Sequence, residues 1–381
     1  MYPSVRVGTI PSKARTAAIR RRLLRWWGAA RRGLPWRFPP GEADPYRVWI
    51  SEVMLQQTQV ATVVPYYRRF LARLPTLEAL AAADEGEVLE LWSGLGYYAR
   101  ARALHGAARQ ALAEHGGLPS TLAALRALPG FGPYTAGAVA SIAFGVRTTA
   151  VDGNAGRVLS RLFLVDAARG SSRFRTEVGS CAEALVECDP GRGDSAHPGE
   201  LNQALIELGA LVCRPGIPRC ERCPLTSHCA ARRAGRERAL PRVRERAAPR
   251  RLRVAVAVCR RGGRVLLVRR PDRGLFAGMW GPPAVELANG QDPAAAIAAA
   301  IGREPFGITG GFGLAGTVER TLTHRRLELV VFEARLGRLP PRRRGWTLAR
   351  PAELGAMAIP VAMRHALALC GDGAGGADGN G

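Results

Sequence analysis

Residues 127–145, ALPGFGPYTAGAVASIAFG, begin as the end of one helix and finish as the start of another. Between the two halves stand Pro129, Gly130, Gly132 and Pro133, too many breakers for one continuous helix. Gly130 and Gly132 permit backbone geometry closed to other residues and let main-chain N–H groups approach a ligand. The second helix starts at once, so its free amides and positive dipole end point out of the same turn. Such a turn holds a phosphate without reading sequence, which is what positioning on DNA requires. A purely structural αα-turn uses the same residues.

Outward from this hinge the helical period dominates. Residues 17–33 read as a basic amphipathic helix ending at a glycine, and Asp44-Pro45 as an N-cap and first-turn pair. Helices follow to about residue 212, broken by RLPTLE, WSGLGYYAR and HGGLPST. Almost nothing before residue 250 alternates as strands do, so the first half is all-α. Residues 231–253, ARRAGRERALPRVRERAAPRRLR, have the composition of an exposed linker. After them the period changes. LRVAVAVCRRGGRVLLVRR places two apolar runs around Gly262-Gly263, a hairpin signal, and RTLTHRRLELVVFEARL reads as another strand pair. A separate α+β domain therefore occupies roughly 252–370, and GDGAGGADGNG has the composition of a disordered tail.

The chain has 381 residues, enough for two or three domains and a sizeable core. Its 55 basic and 31 acidic residues give a net charge of +24 and a pI near 11.2. That excess suits a polyanionic partner, nucleic acid first and an anionic membrane second. Lys13 is the only lysine; biased codon usage explains arginine over lysine but not the excess over acids. No run of about 18 apolar residues reads as a membrane span. The N-terminus lacks the apolar core of a secretory signal, although its first acid is Glu42 and its Arg-rich start imitates an organelle transit peptide. Eight cysteines in that setting argue for reduced thiols or metal ligands and a cytoplasmic, nucleoid-associated protein.

Cys213, Cys220, Cys223 and Cys229 follow the spacing C-x6-C-x2-C-x5-C after the apolar helix LNQALIELGALV. Four thiolates so close form a tetrahedral ligand set, and spacing alone accepts structural zinc or a cubane iron–sulfur cluster. His228 fits the spacing less well. Arg214, Arg219 and Arg222 lie inside this loop, so a closed metal site would present guanidinium groups to phosphate. Cys181, Cys188, Cys259 and Cys370 show no pattern and read as inert thiols.

LPGFGPYTAGA followed by VDGNAGRVLSRLF resembles the helix-hairpin-helix and Asp signature of base-excision DNA glycosylases. The cysteine spacing is similar to the branch containing endonuclease III and the adenine glycosylases. LPWR, WISEVMLQQTQV and LWSGLGYYARARALH resemble the adenine branch, the MutY family. The similarity runs from about residue 17 to 230 and continues more weakly to the C-terminal domain. It implies a multidomain fold with an all-α glycosylase core, an iron–sulfur loop and a C-terminal α+β Nudix-like domain. An iron–sulfur helical domain would combine 13–43 with 148–232, and a six-helix domain with the hairpin would span 44–147. A linker would follow over 233–251, then the Nudix-like domain over 252–370 and the tail over 371–381. The four cysteines would hold a [4Fe–4S] cluster.

The resemblance also assigns roles. Bifunctional members carry a lysine where this chain has Tyr134, and a phenol cannot form their Schiff base. The resemblance thus implies a monofunctional glycosylase with water as final nucleophile. Adenine leaves only when its ring is protonated, and a carboxyl in apolar surroundings holds a proton near neutral pH. Glu52, in VWISEVMLQQ, matches that general acid, acting on adenine N7; unaided, it would read as a solvated helix residue. Asp152, in AVDGNAGRV, would face the sugar and stabilise the oxocarbenium-like charge; alone it reads as a helix N-cap. Asn154 and Tyr134 match positions that organise the Asp and the water. Base extrusion would use Gln57 and Tyr97 as inserted residues, with Trp36, Arg37, Leu55 and Gln203 lining the adenine pocket.

In the Nudix-like region the helix DPAAAIAAAIGRE lacks the acidic cluster that binds magnesium, so nucleotide hydrolysis is not expected. In the family this domain recognises 8-oxoguanine through Phe-Ser-His; here stand Leu322, Thr323 and His324, with hydroxyl and imidazole kept and the aromatic replaced. Gly156 is a second departure, where relatives often carry a basic residue. The implied activity is excision of adenine opposite 8-oxoguanine or guanine in double-stranded DNA by a monomer. The alternatives are an endonuclease III-like glycosylase/lyase, which Tyr134 disfavours, and a non-catalytic iron–sulfur DNA-binding protein, which Glu52 and Asp152 together disfavour.

Overall fold

Ser12 sets where the first helix begins. Its hydroxyl accepts the Arg15 amide at 3.4 Å, so α1 runs over Lys13–Ala30, earlier than the apolar period alone suggests. Arg31 then turns to extended backbone ahead of Gly33. The computed structural model describes residues 12–187, 197–243, 250–271, 274–302, 307–322, 325–337 and 345–370. The chain divides into two units, Met1–Val88 with Ala99–Arg246, and Leu89–Tyr98 with Ala247–Gly381.

The chain continues through α2 (Pro45–Leu55), α3 (Val60–Arg73), α4 (Leu77–Ala82), α5 (Glu85–Leu91) and α6 (Ala99–His115). Next come α7 (Leu122–Ala127), α8 (Pro133–Ala143), α9 (Gly153–Leu162), α10 (Ser172–Glu187), α11 (Pro198–Leu211) and the short α12 (Ala230–Arg233). Asp44 caps α2 through the Arg47 amide at 3.2 Å, with Pro45 in the first turn. Ile19, Leu23 and Trp27 of α1 pack with Val158 and Leu159 of α9 and Leu201, Leu205 and Leu208 of α11 in one buried cluster. That cluster fixes α9 and α11, the two helices that carry Asp152 and the approach to the cysteine loop.

The second unit is a mixed sheet with helices on two faces. Its strands are β1 (Arg250–Arg261), β2 (Arg264–Arg269), β3 (Trp280–Gly281), β4 (Ala284–Glu286), β5 (Ile308–Leu322), β6 (Arg325–Leu336) and β7 (Trp346–Ala349). The order is β3-β2-β1-β6-β5, with β4 on β1 and β7 on β2; only β1 and β6 are parallel. Gly262 and Gly263 have φ of 54° and 69°, the left-handed pair that a two-residue hairpin turn needs. Alternation along β1 sends Val254, Val256 and Val258 to the face covered by α14 (Val361–Leu369). Ala255, Ala257 and Cys259 go to the face of α13 (Pro293–Gly302). β5 and β6 pair up to Leu322 opposite Arg325; Thr323 and His324 lie outside the described residues, as does Cys188.

The segment expected to be an exposed linker is not one throughout. Leu240 is buried, its carbonyl accepts the Arg161 Nε–H at 2.8 Å, and Arg236 and Arg242 pair with Asp166 at 3.0 and 3.1 Å. Composition misleads here because these arginines serve as packing and pairing groups against the helical unit, and Leu240 supplies an apolar anchor.

Candidate active site

The hairpin turn is fastened to the helix that carries Glu52. Phe131 is buried and stacks on Trp49 of α2, with ring centroids 5.1 Å apart and planes at 25°. Gly130 has a φ of 76°, and a Cβ there would meet the Ala103 Cβ at 2.8 Å, so glycine is required twice over. Gly132 is different from what the sequence suggests. Its φ is −68° and nothing lies within 4 Å of a Cβ placed on it, so any residue could adopt this backbone. The Phe131 and Gly132 amides are bonded inside the turn, to Leu128 O at 3.2 Å and Gly130 O at 3.1 Å. The donors the turn offers outward are thus the first-turn amides of α8, which have no intrahelical acceptors.

That same first turn carries Tyr134. Its hydroxyl donates to the Glu52 Oε2 at 2.6 Å, across the α2–α8 contact. Glu52 is 8% exposed, and burial pushes its carboxyl above the usual range against the opposing Tyr134 hydrogen bond and the Arg37 charge. The charge of Asp152 adds to the upward push, so the two carboxyls feel one another. Tyr134 is pushed well up by burial and by both acids, and so stays a neutral donor.

Asp152 is the N-cap of α9. Its Oδ1 accepts the Asn154 and Ala155 amides at 2.9 and 2.7 Å, while its Oδ2 accepts the Asn154 side-chain amide at 2.9 Å. Burial raises this carboxyl above its usual range, against the opposing pull of the three donors. The Arg157 guanidinium reaches the Asn154 Oδ1 at 2.9 Å, the Gly209 carbonyl at 2.8 Å and the Cys213 carbonyl at 2.7 Å. Arg157 is buried and points inward, so it does not replace the basic group that Gly156 lacks. Gly156 itself is buried against Phe174, whose ring would stand 3.5 Å from a Cβ. Asn202 secures the approach to Asp152: it accepts the Ala150 amide at 3.0 Å and donates to Ser141 Oγ and the Thr148 carbonyl, each at 2.9 Å.

Arg37 closes the other side. Its guanidinium lies 4.8 Å over the Trp27 ring, donates to Gln203 Oε1 and reaches Glu207 Oε2 at 3.3 Å. Burial lowers Arg37, while Glu207 and Glu52 hold its charge in place. Glu207 is fully buried and is gripped by Arg32 at 2.6 and 2.8 Å, which keeps its carboxyl below the usual range despite burial. Sequence reading missed Glu207; its signal was the i,i+4 spacing from Gln203 on one helix face. Trp36 is buried edge-on to Tyr67 at 5.3 Å. Leu55 is half-buried at the end of α2, and Gln57 is exposed just beyond it with a φ of 56°. Tyr97, in the Leu89–Tyr98 segment, is 45% exposed and also left-handed, with a φ of 50°.

Cys213, Cys220, Cys223 and Cys229 line one shared recess, together with Arg161, Arg232 and Glu237 but not His228. Among the described residues no group of three or more His, Cys, Asp or Glu is placed to hold a single metal ion. The donor chemistry, four free thiols around a shared space, fits a thiolate-bound group. Arg161 Nη1 stands 3.3 Å from the Cys213 sulfur, Arg219 also lines the recess, and Arg214, Arg219 and Arg222 are all exposed. No helix among the described residues is long and apolar enough to cross a membrane.

A helix-hairpin-helix whose first turn hands a hydroxyl to a buried acid, beside an Asp-capped helix, defines a base-excision class of protein. The profile described as "HhH-GPD superfamily base excision DNA repair protein" matches residues 50–182, and one described as "NUDIX domain" matches 254–369. The adenine DNA glycosylase of Homo sapiens is 40% identical over 324 residues, 71% of this chain and 58% of that protein. That of Arabidopsis thaliana is 38% identical over 320 residues, 74% of this chain and 50% of that protein. That of Mycolicibacterium smegmatis is 41% identical over 214 residues, 56% of this chain and 69% of that protein. The chain belongs to the adenine DNA glycosylase family. It spans 58 to 62% of the length of the mammalian relatives it matches.

Proposed function

We propose that this chain is a monofunctional glycosylase that removes adenine opposite 8-oxoguanine or guanine in duplex DNA, working as a monomer in the cytoplasm at the nucleoid. The observation that carries the reading is the buried Glu52–Tyr134 pair beside the capped Asp152. With the adenine turned out of the duplex, Glu52 gives its proton to N7. The N-glycosidic electron pair then leaves with the base, and positive charge develops on the deoxyribose. The Asp152 carboxylate stabilises that charge, held still by Asn154. Water adds at the sugar carbon, loses a proton and leaves an abasic site. Tyr134 supplies a hydroxyl where a lyase needs an amine, so the strand stays uncut.

Trp36, Arg37, Leu55 and Gln203 would surround the base. Gln57 and Tyr97 would enter the duplex, the Gly130–Gly132 turn would hold a phosphate, and Thr323 and His324 would read the opposite base. Cys213, Cys220, Cys223 and Cys229 would hold a [4Fe–4S] cluster. Bound there, it would cross-link the loop through four thiolates and fix Arg214, Arg219 and Arg222 against phosphate. The helical and Nudix-like domains expected from the sequence belong to this reading, with residues 236–242 counted in the helical unit and not in the linker.

A gel assay on four duplexes, with adenine opposite 8-oxoguanine, guanine, cytosine and thymine, tests it. Alkali-revealed release opposite 8-oxoguanine and guanine is expected, with no nick before alkali. Release from none of the four, or strand cleavage without alkali, overturns it.

A further inference from the structure

The last turn of α2 ends without a side-chain cap of its own, and its carbonyls are taken by one arginine from another helix. Arg100 of α6 sends Nη1 to the carbonyls of Val53, Met54 and Gln56 at 2.8, 3.2 and 2.5 Å. Its Nη2 reaches Thr58 Oγ1 at 3.4 Å. The two arms of one guanidinium therefore straddle Gln57, gripping the carbonyl before it and the hydroxyl after it. Gln57 is exposed and left-handed, with a φ of 56°, a backbone that is strained for a non-glycine residue. Two weaker bonds complete the turn: Thr58 Oγ1 to the Gln56 carbonyl at 3.3 Å and Gln56 Nε2 to Thr135 Oγ1 at 3.2 Å. Strain at an exposed polar residue persists only where the surroundings impose it, and the Arg100 bonds lie directly on either side of it.

We infer that Arg100 is a positioning residue that presets Gln57 in the conformation in which it enters the duplex, so that it governs base extrusion rather than bond cleavage. This rests on the reading of Gln57 as an inserted residue. Glu52 has its own tether to Tyr134, separate from the clamp. One nitrogen of the fork serves the three carbonyls while the other reaches Thr58, and a lysine point charge, which has no second arm, replaces it only in part.

The test compares wild type, Arg100→Met, Arg100→Lys, Gln57→Ala and the Arg100→Met/Gln57→Ala double variant. Extrusion is read by 2-aminopurine fluorescence at the target position, and excision by single-turnover assay across pH. Arg100→Met is expected to lose about tenfold or more in both extrusion and excision, the scale of a misplaced contact. The pH profile should keep its shape, Arg100→Lys should recover part of the loss, and Gln57→Ala should add nothing to Arg100→Met. Multiplying losses, wild-type extrusion in Arg100→Met or a shifted pH profile overturns the inference. So does unfolding of both Arg100 variants, which marks the clamp as structural only. If the wild type releases no adenine from any duplex, the proposed function fails, while the fluorescence comparison still decides the role of Arg100.

Discussion

At Gly209 α11 packs tightly against the start of α9, and Gly209→Ala exploits it. A Cβ at that position would stand 2.7 Å from the Asn154 Cβ, 2.8 Å from its carbonyl oxygen and 2.9 Å from its carbonyl carbon. Two of those atoms are backbone, so no flexible end can swing away. Ordinary contact begins at 3.4 Å, so the helices must part by about 0.7 Å, the difference between 3.4 and 2.7 Å. Overpacking of this kind costs about 1–3 kcal/mol. The better helix propensity of alanine returns about 1 kcal/mol. The net loss is therefore small, about 0–2 kcal/mol, a few degrees in melting temperature at most. Catalysis should suffer more, because Asn154 bonds the Asp152 carboxylate at 2.9 Å and a shift near 1 Å costs on the order of a hundredfold. Single-turnover excision is expected to fall about tenfold or more while the protein stays folded. The control is Gly179→Ala in α10, where a Cβ meets nothing within 4 Å. It should gain about 0.5–1 kcal/mol with excision unchanged. Wild-type excision by Gly209→Ala, or a loss no larger than its unfolded fraction, would refute the reasoning.

Glu52→Gln should abolish excision yet retain binding to the mispaired duplex. Because burial makes the folded Glu52 hold its proton to higher pH than the unfolded chain does, wild type loses stability as pH rises from the ordinary carboxylate range through that raised value. Glu52→Gln has no such loss, so its melting temperature should exceed wild type at neutral and alkaline pH and converge with it in acid. A constant difference across pH would argue against a protonated Glu52. Purified protein should be brown, with absorbance near about 410 nm that Cys223→Ser removes; colourless protein with one zinc per chain would displace the cluster assignment.

The hairpin was legible because Pro and Gly punctuate so strongly that no continuous helix could be drawn through 129–133. Glu52, Tyr134 and Asp152 were nameable from family resemblance, yet nothing local distinguished Glu52 from a solvated helix acid. What separates them is burial, which depends on α8 arriving from eighty residues away. The net charge of +24 was read as a surface property. In the structure Arg20, Arg157 and Arg161 are buried and donate to backbone carbonyls, while Arg32 and Arg37 hold Glu207. Part of the positive charge thus lies in internal bonds, so the charge left at the surface is smaller than the formal count. The same use of arginine disguised residues 233–243 as linker. Gly132 erred in the opposite direction, since a glycine in a turn motif does not reveal whether its φ is positive.

The two carboxyls divide their tasks by donor count. Burial raises both, but Glu52 accepts one hydrogen bond, from a neutral phenol, whereas Asp152 accepts three N–H donors. A bond to a charged acceptor is worth about 1.5–3 kcal/mol, so two additional donors favour the anion more at Asp152 than at Glu52. Arg37 draws Glu52 the other way, but its charge is shared with Glu207. One proton offered to the pair therefore sits on Glu52, and the anion at Asp152 helps to keep it there through like-charge repulsion. Under the proposed function, Asp152→Asn would then remove two things at once: the counter-charge for the sugar and part of the upward push on Glu52. Its cap bonds can survive, since asparagine caps helices as well as aspartate does, so stability should change little. Residual excision, expected to be lower by orders of magnitude, should lose its activity at lower pH than wild type does. A basic limb that stays put, or moves to higher pH, would mean that the two acids titrate independently and that the proton donor is held by something other than this pair.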